Sequence, residues 1–76
     1  MMCEENQKFC KTLDEMSRED SVICIRILGT TQKSIALNHM IKKGWICVQN
    51  DVCFDKPDIF YILTFATKEA AASFRV

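Results

Sequence analysis

Five cysteines and one histidine are the residues of this 76-residue chain with the widest chemistry. Thiolates with imidazole hold zinc, and a thiolate beside a base is a nucleophile. Both uses demand spacing. Zinc sites take two thiolates from one turn as C-x2-C, and the closest cysteines here, Cys47 and Cys53, stand six positions apart. Cys24, Cys47 and Cys53 sit inside apolar runs, where a reduced thiol packs as a small hydrophobe. His39 falls on a helical pattern one turn after Ile35, at the margin of the apolar stripe. No G-x-S-x-G, no C-x-x-C and no adjacent Cys–His pair is present. The expectation is a protein that is not an enzyme, with no metal site, no cofactor and five free thiols.

The other candidates are weaker. Asp51, Asp55 and Asp58 gather around a turn, where solvated carboxylates are ordinary. Gly29-Thr30-Thr31 lies between a strand pattern and a helix pattern and reads as a capped turn; a phosphate-cradling loop needs more glycine. Trp45, Tyr61, Arg26 and Phe9 are the types that dominate interface energy, and they are the candidate partner-binding residues.

These residues need elements to carry them. Phe9, Leu13 and Met16 recur at i, i+4 and i+7, predicting a helix over 3–16. Residues 22–28, Val-Ile-Cys-Ile-Arg-Ile-Leu, are rich in β-branched types and predict a central strand. A helix follows to about Lys43, capped by Thr30 or Thr31, with Ile35, Leu37, Met40 and Ile41, and Ala36 beside them, on its apolar side. Gly44 then suits the left-handed stop, with Trp45 as the apolar residue that closes it. Residues 45–54 alternate as one strand with a bulge near Asn50-Asp51, placing Ile46, Val48, Val52 and Phe54 on one side. Residues 55–58 form a hairpin loop, 59–65 a third strand, and Thr67 caps a last helix over 68–74.

The order α-β-α-β-β-α makes an α+β fold, a three-stranded mixed sheet packed with helices, in which 22–28 and 45–54 are joined by a right-handed parallel crossover. The chain is one domain over 1–76: a helix and connector at 1–20 and a βαββα core at 21–76. The two later helices are expected on one face of the sheet. The other face, with Val22, Cys24, Arg26, Trp45, Cys47, Cys53 and either Tyr61/Leu63 or Phe60/Ile62, is then too apolar to stay bare. The first helix covers part of it, and a second copy or another protein covers the rest.

In order of elements, residues 22–74 resemble an RNA-recognition-motif or ferredoxin-like domain, with Ile59-Phe60-Tyr61-Ile62-Leu63-Thr64-Phe65-Ala66-Thr67-Lys68-Glu69-Ala70-Ala71 as its third strand and second helix. The likeness is one of architecture. Pro57-Asp58-Ile59 stands where that motif has a basic, glycine-bearing start, and no fourth strand is expected within the 76 residues. The resemblance implies single-stranded nucleic-acid binding, with Trp45 and Tyr61 stacking on bases and Lys33, Lys42, Lys43 and Arg26 near the backbone. Charge opposes that reading. Ten Lys+Arg balance ten Asp+Glu, and a neutral chain lacks the cationic field that phosphate contacts need. The start is polar and acidic, without a basic segment leading into an apolar run, and no stretch is apolar enough to span a bilayer. The functional expectation is a small cytoplasmic protein-interaction module of adaptor or inhibitor type, self-associating as a homodimer, with no membrane contact.

Overall fold

The computed structural model describes residues 4–74. Cys3, counted above among the free thiols and at the head of the first helix, lies outside them. The elements are α1 (Glu4–Glu19), β1 (Val22–Leu28), α2 (Thr30–Lys42), β2 (Ile46–Asp55), β3 (Asp58–Ala66) and α3 (Lys68–Ala71), closed by a 3-10 turn at Ala72–Phe74. The expected order α-β-α-β-β-α is present. Helix α1 continues through Ser17 and Arg18, past the expected end, and its last turn closes when Asp20 N–H donates to Met16 O.

The sheet order is β1-β3-β2, and both pairings are antiparallel. This corrects two expectations. The sheet is not mixed: β1 and β2 run the same way, but β3 is threaded between them. The α2 crossover leaves a gap one strand wide, and the hairpin partner of β2 fills it. The central strand is therefore β3, whose Leu63, Thr64, Phe65 and Ala66 are all buried, and β1 is an edge. Arg26 lies on the face of β1 away from the core, which is open to solvent, as one face of an antiparallel sheet often is.

The core is Leu13 of α1, Ile23 and Ile27 of β1, Ala36 and Met40 of α2, and Leu63 and Phe65 of β3. Helices α1 and α2 thus lie side by side on one face of the sheet. This corrects the expected layers: α1 was expected on the opposite face, and α3, expected beside α2, lies instead against Ile46 on the other side of the sheet. The thin stripe of α1 needs company as well as a sheet, and α2 supplies it. Phe9 and Met16 flank Leu13 on the same core.

Local stops follow simple rules. The end of α2 is a complete Schellman motif: Gly44, at φ 91°, donates from N–H to Ile41 O at 3.0 Å, and Trp45 N–H donates to Met40 O at 3.0 Å. Thr67 caps α3 as expected, its hydroxyl accepting from Ala70 N–H at 3.2 Å. The start of α2 differs. Its N-cap is Gly29 (φ 86°), with no side-chain cap, and Thr30 is already helical. Glycine takes that left-handed corner at little cost, whereas threonine does not.

The bulge in β2 lies between Cys47 and Gln49, not at Asn50-Asp51. The ladder skips Val48, so the alternation changes phase there. Cys47, Asn50, Val52 and Phe54 come to the helix side with Phe65, Leu63, Tyr61 and Ile59, and Ile46, Gln49, Asp51 and Cys53 fall on the other side. The expected grouping of Ile46 and Val48 with Val52 and Phe54 is corrected accordingly.

Candidate interaction surface

The side of the sheet away from α1 and α2 is built in cross-strand rows. Arg26, Ile62 and Asp51 form one row; Leu28, Phe60 and Cys53 form the next; Cys24, Thr64 and Gln49 lie on the other side of the first. At the far end α3 lies against Ile46, where Ala71 and Phe74 line a shallow groove with Cys47 and Val48. Thr64 and Ala66 are buried near that end. Toward the hairpin no helix lies over the sheet. There Leu28 is 53% exposed, Arg26 and Cys53 are exposed, and Phe60 and Ile62 are half-buried, while toward the other end of the β1 edge Val22 and Cys24 are exposed too.

Arg26 lies flat across this surface, its guanidinium carbon 4.0 Å from the centroid of the Phe60 ring. A cation over an exposed ring contributes roughly 0.5–1 kcal/mol and holds both groups in place. The surface is thus an apolar strip, Leu28–Phe60–Ile62, with one ordered cation at its β1 margin and one carboxylate, Asp51, at its β2 margin.

The four candidate residues do not converge. Arg26 alone is on the open face. Tyr61 turns to the helix side, half-buried, under Lys33, whose Nζ is 4.5 Å from the ring centroid. Trp45 closes the α2 stop and packs against the core, and Phe9 packs against it from α1. Of the two alternatives left open for the third strand, Phe60 with Ile62 is the pair on the open face. Phe60 is the residue that sequence reasoning left unchosen; only the register of β3 against β1 decides it. Lys33 and Lys42 belong to α2 and Lys43 caps its end, in the layer opposite Arg26, so the cations needed for a nucleic-acid track are divided between two surfaces.

A second polar cluster ties α1 to α2. Asp14 Oδ1 accepts from His39 Nε2 at 2.9 Å and from the Lys43 ammonium. The Lys43 hydrogen bond, with that of His39 behind it, holds the Asp14 carboxyl below its ordinary range. Cys10 lies one turn before Asp14 and shares with His39, Ile35, Asn38 and Lys42 a cavity of about 240 Å³. Burial, and then the Asp14 charge, push the Cys10 thiol up. Through its two hydrogen bonds Asp14 of α1 clasps His39 and Lys43 at the end of α2.

The described cysteines, Cys10, Cys24, Cys47 and Cys53, are free thiols. Cys24 and Cys53 lie on opposite edges of the sheet and Cys47 on the other face, so the sheet does not gather them. Among the described residues no group of His, Cys, Asp and Glu is placed to hold a metal ion, and no helix is long and apolar enough to cross a membrane. Comparison with protein families, with curated proteins and with solved structures finds no match to this chain.

Proposed function

We propose that the chain is a small, non-catalytic protein-interaction module of adaptor or inhibitor type that grips a protein partner on the open half of its sheet and also associates with itself. The observation that carries this reading is the uncovered strip Leu28–Phe60–Ile62 with Arg26 held across Phe60. Contiguous apolar surface rimmed by single charges is the usual form of a protein contact, and Arg and aromatic residues supply most of its energy. A reducing compartment such as the cytoplasm suits the exposed thiols of Cys24 and Cys53.

The test is capture of partners from the native cytosol by wild type and by the variants Phe60→Ala and Asp51→Lys, with Ile41→Ser on α2 as control. Asp51 lies on the open face at the far strand, so its change touches no contact made through the β1 edge, whereas Phe60→Ala also frees Arg26 of β1 and is read beside it. The expected result is specific bound material lost by both face variants, retained by the control, with circular dichroism unchanged. Equal recovery from all four proteins overturns the assignment of the face.

A further inference from the structure

Both outer strands of the sheet expose a row of backbone donors and acceptors, but only one of them is guarded. Strand β2 carries the Cys47/Gln49 bulge, Asn50, Asp51 and Asp55, the features that stop one sheet from adding to another. Strand β1 has none of these. It is seven residues of unbroken ladder, without proline, glycine, lysine or bulge, and its single charge is Arg26. On its inner side the ladder runs past both ends, through Gly29 N–H to Ile59 O and Thr67 N–H to Ser21 O. The strand is therefore held to β3 along its whole length while its outer side pairs with nothing among the described residues.

Its sequence is also close to a palindrome. Read from Ile25 outward, Val-Ile-Cys-Ile-Arg-Ile-Leu places Cys24 against Arg26, Ile23 against Ile27 and Val22 against Leu28. We propose that the occupant of this edge is a second copy of the chain, with β1 pairing antiparallel to the partner's β1 about a two-fold axis through Ile25. Two three-stranded sheets become one of six strands, with α1 and α2 of both copies on the same side. An isologous contact requires a surface that complements itself, and this register provides one. Isoleucines meet isoleucines on the helix side, Val22 meets Leu28 on the open side, and Arg26 faces a neutral Cys24 instead of another Arg26. Centring the axis on Arg26 would set like charges opposite each other. A strand from another protein would have no reason to match the palindrome.

This inference rests on the self-association in the proposed function but not on the open face. Its test is sedimentation equilibrium of the whole chain over a range of concentrations. Wild type is expected to dimerise. Because Cys24 is exposed, it accepts a charge without burying one. Cys24→Glu sets a carboxylate against Arg26 of the other copy twice per dimer and tightens association about three- to tenfold; Cys24→Lys sets two cations together and weakens it by a similar factor. Asp51→Lys on the far edge leaves the dimer unchanged. A chain that stays monomeric at several hundred micromolar, as checked by circular dichroism for folding, overturns the proposal and leaves the open-face reading standing. So does a dimer that responds to Asp51→Lys but not to charge at position 24. A dimer loosened equally by Glu and Lys at position 24 overturns the register.

Discussion

Leu13 is the test of how the helical layer is built. It is 1% exposed, it is the one residue of α1 in the fully buried core, and it meets α2 and the sheet at once. Leu13→Ala removes the branched end of the side chain from a site that cannot collapse freely, since the sheet and α2 hold two of its walls. Transfer and cavity terms together cost about 3 kcal/mol, within the usual range of about 2–5 for such a change. The whole domain has roughly 4–11 kcal/mol, at about 0.05–0.15 kcal/mol per residue. The melting temperature should therefore fall by roughly 12–24 °C, at about 4–8 °C per kcal/mol for a domain of this size. Urea unfolding followed by circular dichroism reads the change directly, with Phe54→Ala as the reference. Phe54 is 74% exposed and should lose little, about 0.5 kcal/mol or less. A Leu13→Ala loss below about 1 kcal/mol, or equal to that of Phe54→Ala, would refute the placement of α1 against α2.

The Asp14 clasp and the α2 stop give two further expectations. Asp14 titrates below its ordinary value of 3.8 when folded, so the stabilisation it gives is complete above that pH and is lost as pH falls through the depressed folded value. Asp14→Asn should cost about 1 kcal/mol or less near neutrality, because the Lys43 arm is solvent-screened, and the gap between variant and wild type should close in acid and shrink with salt; a gap constant from pH 2 to 7 would sink the assignment. Gly44→Ala meets open space but must hold φ near 91°, so a loss of about 1–2 kcal/mol in urea unfolding is expected, and a neutral result would count against the Schellman geometry.

Signals confined to a few residues were legible. Gly44-Trp45 ends α2 because a left-handed residue and an apolar follower complete one local hydrogen-bond pattern, and Thr67 caps α3 by reaching three residues ahead. The helix and strand order follows from periodicity in the same way. What stayed hidden depends on contacts distant in sequence. Nothing within Val22–Leu28 says whether β2 or β3 lies beside it. The stripe of Phe9, Leu13 and Met16 fits either face of a sheet equally well. The bulge escaped because Cys47, Val48 and Ile46 are all apolar and so mark no side, whereas the polar Asn50-Asp51 drew attention to the wrong place. Once β2 changed phase and β3 took the centre, Trp45 and Tyr61 turned to the helix side and Phe60 came to the open one.

The skipped residue in β2 behaves as a half-period inserted into a wave. Upstream and downstream of Val48 the strand obeys the same two-residue beat, offset by one. Excising Val48 would therefore cancel the offset without moving any later side chain to the opposite surface, leaving Val52 still beneath the roof side and Asp51 still outside. A loss farther along the arm would turn over the residues lying between it and the bulge, so the tolerance of this strand to lost codons is greatest at Val48 and its immediate neighbours.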